Sequence, residues 1–193
     1  MEMLVKKEKR YTYSDYCSWD DGQRWELIDG YAYLMAPAPT QAHQSAGGYI
    51  YIQLANFLKG KSCRVFYAPF DVRLNAFSDD NTVVQPDLLV VCDMSKLDGK
   101  CCVGAPDFVI EILSPSTARF DRTIKFDLYK AAGVREYWIV DPDTKTVSAH
   151  VLQNGEYMIR DYSDTGTAPV TVLDGCEIDL EGIFEDDERT TSS

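Results

Sequence analysis

The sequence predicts an α/β (α+β) fold in which a mixed central sheet is flanked by helices and extended by antiparallel hairpins. Three observations support this. Apolar runs of strand length recur in TVVQPDLLVVCD, PDFVIEILSPS and REYWIVD. Two stretches of helical recurrence separate such runs, and Asp29-Gly30 and Asn154-Gly155 each sit between short apolar segments, as hairpin turns do. Strands interleaved with helices call for a sheet covered on its faces.

The chain has 193 residues, enough to bury most of the apolar surface that it exposes when unfolded. One domain is expected over residues 11–184, between a flexible N-terminus at 1–10 and a disordered acidic tail at 185–193, EDDERTTSS. With 45% hydrophobic and 26% charged residues, the composition is that of a globular protein. The basic start MEMLVKKEKR leads into polar and aromatic residues, and no run of about 18 apolar residues occurs. A cytoplasmic location and no membrane partner are therefore expected. The cysteines (17, 63, 92, 101, 102 and 176) form no CxxC pair, so free, reduced thiols are expected.

In chain order, Ser14 and Asp15 are candidate caps of a short helix before Trp25. RWELIDGYAYLM reads as a hairpin carrying Glu26 on its first strand. Pro37 and Pro39 end it, Thr40 can cap a helix, and Ile50, Leu54, Phe57 and Leu58 recur at helical spacing. CRVFYAPFDVRL and TVVQPDLLVVCD read as two strands that pair with each other, the second buried on both faces. PDFVIEILSPS gives another buried strand. The following helix, TARFDRTIKFDLYKAAG, would bury Ile124, Leu128 and Ala131 and end at Gly133, before the strand REYWIVD. TVSAHVLQ and EYMIRDY form a hairpin, and VTVLDG continues the antiparallel part.

The chemistry lies in acidic residues placed inside apolar strands. A carboxylate buried without a partner is costly, so it is usually neutralised by a cation or protonated. Asp87 opens the DLLVV run after Pro86, and Glu111 interrupts FVIEIL on the same face as Val109 and Leu113. On neighbouring strands the two carboxylates converge. Mg²⁺, or Mn²⁺ in its place, is an economical partner, because it takes oxygen ligands, keeps waters and activates one for attack on a phosphodiester. The other reading of the same residues is an internal salt bridge, to Arg73 or Lys125.

The segments VQPDLLVV, GAPDFVIEILSPST and GVREYWIVDP, in this order, resemble the Uma-type family of restriction endonucleases within the PD-(D/E)xK nuclease superfamily. The resemblance spans roughly residues 11 to 184. It implies a restriction-endonuclease-like αβββαβ core, with Asp87 as the family's PD aspartate and Glu111 as its second carboxylate, both metal ligands. Position 113, where the superfamily pattern has lysine, holds Leu113. The resemblance moves that lysine to Lys125 on the following helix, where it would stabilise charge or orient water; a surface pair with Asp121, four residues earlier, is the alternative. Glu26 matches an upstream acidic position that completes a second metal site or holds a metal-bound water, or else it is a hairpin surface residue. His43 matches a histidine near the site, or is structural. Ser114 and Ser116 bind phosphate or cap the helix.

The expected function is thus a Mg²⁺-dependent endonuclease acting on DNA, with a homodimer expected by analogy so that both strands are cut. The net charge of −12 counts against a tight grip on DNA, since nucleic-acid binders usually carry a basic face. It leaves room for a nuclease with an acidic metal site and local DNA contacts. Charge and Leu113 together favour the alternative of a catalytically inactive binding or assembly module. A small-phosphate-ester hydrolase would also suit the acidity, but no phosphate-cradling glycine loop occurs. The aromatic group from Tyr11 to Tyr33 reads as packing, and Asp141-Pro142-Asp143 as a turn.

Overall fold

Asp29 and Gly30 take φ angles of 48° and 80°, the left-handed values of a two-residue hairpin turn. In the computed structural model, which describes residues 5–6, 9–35 and 38–184, they join β2 (Trp25–Ile28) to β3 (Tyr31–Leu34). Within the N-terminus expected to be flexible, β1 (Val5–Lys6) pairs with β3. The acidic tail at 185–193 lies outside the described residues. The short helix α1 (Tyr13–Tyr16) is capped by Thr12, whose hydroxyl accepts from the Asp15 amide while the Asp15 carboxylate accepts from the Thr12 amide. Ser14 and Asp15 are therefore not the caps; Asp15 is the return partner of the box, three residues on.

Helix α2 (Gln41–Leu58) starts at Thr40, as its sequence predicts, and buries His43, Ala46, Ile50, Leu54 and Leu58 as one stripe. CRVFYAPFDVRL is not one strand but two, β4 (Arg64–Tyr67) and β5 (Val72–Arg73). TVVQPDLLVVCD likewise divides into β6 (Val83–Val84) and β7 (Leu88–Val91). Pro69 and Pro86 lie at the two breaks, where a residue without an amide hydrogen cannot continue a ladder. The halves pair as expected, β4 with β7 and β5 with β6, but in different sheets.

β8 (Cys102–Val103) pairs parallel with β5 and closes the first sheet, ordered β1-β3-β2-β6-β5-β8. The second sheet is built on β9 (Phe108–Ile112), which runs parallel to β10 (Glu136–Asp141) and antiparallel to β7. β11 (Thr146–Gln153) and β12 (Glu156–Tyr162), joined through Asn154-Gly155, extend it to the order β12-β11-β10-β9-β7-β4. One face of this sheet, with Val90, Phe108, Ile110 and Trp138, packs on α2 and on the ribbon of β13 (Thr167–Pro169) and β14 (Glu177–Asp179). The other face, with Leu89, Val109, Leu113 and Tyr137, packs on Tyr129 and on residues of the first sheet such as Ile28 and Val84. VTVLDG is a turn rather than a strand. Val170, Leu173 and Cys176, buried at a spacing of three, close it through backbone bonds from Leu173 to Val170 and from Cys176 to Leu173.

The crossover from β9 to β10 is α3 (Ala118–Phe120), a π turn over Asp121–Lys125, and α4 (Phe126–Ala132) ending at Gly133. The wide turn shifts the inward face. Asp121, Lys125 and Tyr129 are buried, whereas Ile124 is 41% exposed and Ala131 is also exposed, so the apolar stripe expected from the sequence is not the buried one. The thiol expectation is also corrected, because Cys63 and Cys92 form a disulfide. Arg64 pairs with Val91, so the next position along this antiparallel pair sets Cys63 opposite Cys92. Cys17, Cys101, Cys102 and Cys176 are free.

Candidate active site

Asp87 stands directly before β7 because Pro86 breaks the strand there. Its carbonyl accepts from the Ala68 amide, and its Oδ2 accepts from the Ile112 amide at 2.8 Å. Oδ2 also lies 3.2 Å from Nε2 of His43, which enters from the first turn of α2. Glu111, one residue before the end of β9, points to the face of Val109 and Leu113, as strand alternation requires. Leu88 pairs with Ile110, so one further step of the register brings Asp87 beside Glu111. Glu26, buried on β2, accepts a hydrogen bond from the Gln85 amide at 2.9 Å.

Lys125 comes to these carboxylates from the π turn. Its Nζ lies 2.9 Å from Glu111 Oε1, 3.0 Å from Glu26 Oε1 and 3.7 Å from Asp121 Oδ1. The Tyr129 hydroxyl, one turn on, donates to Glu111 Oε1 at 2.7 Å. The pair of Lys125 with Asp121 is thus not a surface pair: both side chains are buried, and the ammonium serves three carboxylates. Arg73 instead pairs with Asp80. Leu113 occupies the usual lysine position and packs in the core.

Burial sets the electrostatics. It pushes Glu111 well above the ordinary carboxylate range, against the pull of Lys125. It raises Asp121 to about 6, again with Lys125 opposing. For Lys125 burial works against the charge, but Glu111, Glu26 and Asp121 outweigh it and hold the ammonium protonated. Burial likewise opposes charge on His43, yet the hydrogen bond and the charge of Asp87 raise its pKa overall. The buried Nδ1 of His43 makes no well-formed hydrogen bond with the described residues.

These groups line one cleft of about 460 Å³, shared by Glu26, His43, Asp87, Glu111, Asp121 and Lys125, with Ser114 and Ser116 on the same wall. Every site residue taken from the sequence is therefore brought to one place. The Ser114 hydroxyl meets those of Ser116 and Thr117, and the helix start is held by the Ser114 carbonyl, not by its side chain. Sequence reasoning missed the inward positions of Asp121 and Tyr129, four residues either side of Lys125; that spacing was the available signal. It also missed Gln85, which ties Glu26 to Arg24, Tyr16 and Asp71.

Among the described residues no group of three His, Cys, Asp or Glu side chains is gathered as a closed ligand set for a metal. What the cleft offers is more open. Glu111 Oε1 is taken by Lys125 and Tyr129, and Asp87 Oδ2 by Ile112 and His43. The second oxygen of each carboxylate accepts no hydrogen bond from the described residues. Two hard oxygen donors in a cleft with excess negative charge fit a cation that binds through one or two carboxylates and keeps several waters, as Mg²⁺ does.

The architecture is a mixed α/β fold, with mixed sheets flanked by helices. A crystal structure of a "putative nuclease belonging to DUF820" from Anabaena variabilis matches with a TM-score of 0.71 at 21% identity, over 90% of this chain and 97% of that one. The chain belongs to the Uma2 family, described as "Putative restriction endonuclease", whose model matches residues 12–181. An uncharacterised Synechocystis protein is 27% identical over 152 residues, 77% of this chain and 78% of its own. Among the described residues, no helix is long and apolar enough to cross a membrane.

Proposed function

We propose that the chain is a Mg²⁺-dependent endonuclease that hydrolyses phosphodiester bonds in DNA. Asp87 and Glu111 are its metal ligands, Glu26 is an auxiliary ligand and Lys125 its electrostatic catalyst. The observation that carries this reading is the buried Lys125 ammonium, 2.9 Å from Glu111, on the wall of a cleft shared with Asp87. Bound there, Mg²⁺ or Mn²⁺ would supply Lewis acidity and a lowered pKa for water. The chain's own groups do the rest. The free oxygens of Asp87 and Glu111 hold the cation, and the Ile112 amide and His43 fix the Asp87 carboxylate. Lys125 faces the charge that grows on the phosphate oxygens, where an ammonium shielded from water acts strongly. A water attacks phosphorus and gives up a proton to solvent, the bond from phosphorus to the leaving oxygen breaks, and that oxygen takes up a proton from solvent. The proposed assembly is a homodimer, one site for each strand.

The test is nicking of supercoiled plasmid by the purified protein with Mg²⁺ or Mn²⁺, beside Glu111→Ala prepared identically. Metal-dependent nicking that falls by at least about 100-fold in the variant is the expected outcome. Equal nicking by both proteins would assign the activity to a contaminant and sink the proposal.

The lack of a closed three-residue ligand set among the described residues favours a second reading, an inactive binding or assembly module. Calorimetric titration with Mg²⁺ and Mn²⁺ separates the two. Saturable binding that requires Asp87 and Glu111 supports the nuclease, and no binding supports the module.

A further inference from the structure

We propose that a pocket beside the cleft, with the Tyr51 and Tyr67 rings together on its lining, receives one unpaired nucleobase of the strand being cut, which makes single-stranded or locally opened DNA the substrate class. The inference rests on the cleft being a phosphodiester site. The pocket has a volume of about 290 Å³ and shares His43, Gln44, Ala68, Asp87 and Ile112 with the cleft, so the two are continuous. That volume is at the small end of ligand pockets and suits a single ring system.

Two tyrosines supply an aromatic part of its lining. Tyr51 on α2 and Tyr67 at the end of β4 meet edge to face with centroids 5.1 Å apart, and Tyr67 is 61% exposed. Tyr67 pairs with Leu88, and the Ala68 amide bonds the Asp87 carbonyl, so the backbone that carries this ring is held next to the proposed metal ligand, and both residues line the pocket. A phosphate at Asp87 therefore has an aromatic platform within reach of its own base.

Gly48 gives an independent reason. It lies inside α2, where glycine weakens a helix, and a Cβ placed there would meet nothing within 4 Å. Packing gives no reason for the missing side chain. Gly47 differs, because its Cβ would come 3.0 Å from Ile112 Cδ1. Gly48 lines the pocket, and the space that it leaves open is space for a ligand. At the junction with the cleft stands the exposed Gln44, whose side-chain amide makes no hydrogen bond with the described residues and offers both a donor and an acceptor to a base edge. Within a duplex the faces of a base are covered by its neighbours, so a pocket lined in part by aromatic rings accepts a base only from single-stranded or opened DNA. The acidic chain points the same way, because it lacks the charge for a tight sequence-independent hold on duplex DNA.

The experiment is titration of a single-stranded oligonucleotide carrying 2-aminopurine, and of its duplex, with Ca²⁺ replacing Mg²⁺. Wild type, Tyr67→Ala and Gly48→Leu are compared; Gly48→Leu fills the pocket while favouring the helix. Wild type should quench the single strand but not the duplex. Each variant should bind the single strand about 5- to 100-fold more weakly, the range expected for loss of one base–aromatic stack. No quenching by wild type, or variants that bind as wild type does, overturns the pocket. Plasmid nicking by Glu111→Ala separates the two proposals. Nicking lost there with unchanged oligonucleotide binding by the pocket variants keeps the nuclease and removes the base pocket. Binding lost in the pocket variants with nicking unaffected by Glu111→Ala removes the nuclease and leaves a pocket that binds a base without cutting its strand.

Discussion

Lys125 decides how Glu26, Glu111 and Asp121 can lie buried together. Replacing it with methionine keeps most of the volume and removes the ammonium that, among the described residues, alone pairs with these three carboxylates. Lys125→Met should lose about 3–5 kcal/mol of stability near neutral pH, as buried charges do when a partner is deleted. Urea denaturation reads this, and unchanged stability would show that the ammonium compensates nothing. If a divalent cation binds the same carboxylates, added Mg²⁺ should raise the melting temperature of Lys125→Met more than that of wild type. His150 supplies one pH dependence that can be isolated by substitution. Burial lowers its pKa below the ordinary value, against the hydrogen bond between Nδ1 and the Tyr137 carbonyl. The folded state therefore binds fewer protons than the unfolded state, so the His150 contribution is complete above pH about 6.5 and is lost as pH falls through the folded pKa. The stability advantage of wild type over His150→Phe should shrink between pH about 7.5 and about 5.5, and a constant difference would refute it. At this scale the sequence was informative about type and not about partners. Asp87 and Glu111 stood out as acids in apolar runs, but Asp121 and Tyr129 stood out only once the π turn set the inward face.

Gly48 is the point where an element departs from its own propensity. Gly48→Ala should stabilise the protein by about 1 kcal/mol, since the added Cβ meets open space in a regular helix. Thermal or urea unfolding measures this, and destabilisation would mean that the helix needs the glycine. The two strands broken at proline show what periodicity cannot resolve. TVVQPDLLVVCD has a continuous apolar character, yet Pro86 sends β6 to one sheet and β7 to the other. That division is what brings Gln85, at the end of the first half, to Glu26 and sets Asp87 at the start of the second. The hairpins at Asp29-Gly30 and Asn154-Gly155 were legible because their turn chemistry is local. The Cys63–Cys92 link was not, since it follows from the register of strands 29 residues apart. Thiol titration of the denatured, unreduced chain should find four reactive cysteines, and six would contradict the bond.

Across the whole molecule, the net charge of −12 limits how the protein can hold a polyanion. Each phosphate neutralised by a basic side chain steepens the salt dependence by about 0.9 in the logarithmic slope for duplex DNA and about 0.7 for a single strand. The slope for binding DNA here should be shallower than about −3, as for a few local contacts. A slope near −8 would reveal a basic face that the composition does not suggest. The layered arrangement, with a mixed sheet between α2 on one side and α4 with the first sheet on the other, was legible as a class from the alternation of elements. How the elements divide between two sheets was not, because it depends on pairings between distant segments. The Cys63–Cys92 bond has a consequence at this scale. β4 is an edge strand, and edge strands are ordinarily where a sheet opens first. Here one end is tied covalently to β7, and the other is held at Asp87 through the Ala68 amide. Peeling β4 away then requires β7 to move too, so the amide hydrogens that β4 donates to β7 should exchange with deuterium as slowly as those of the sheet interior, and reduction of the bond should release them.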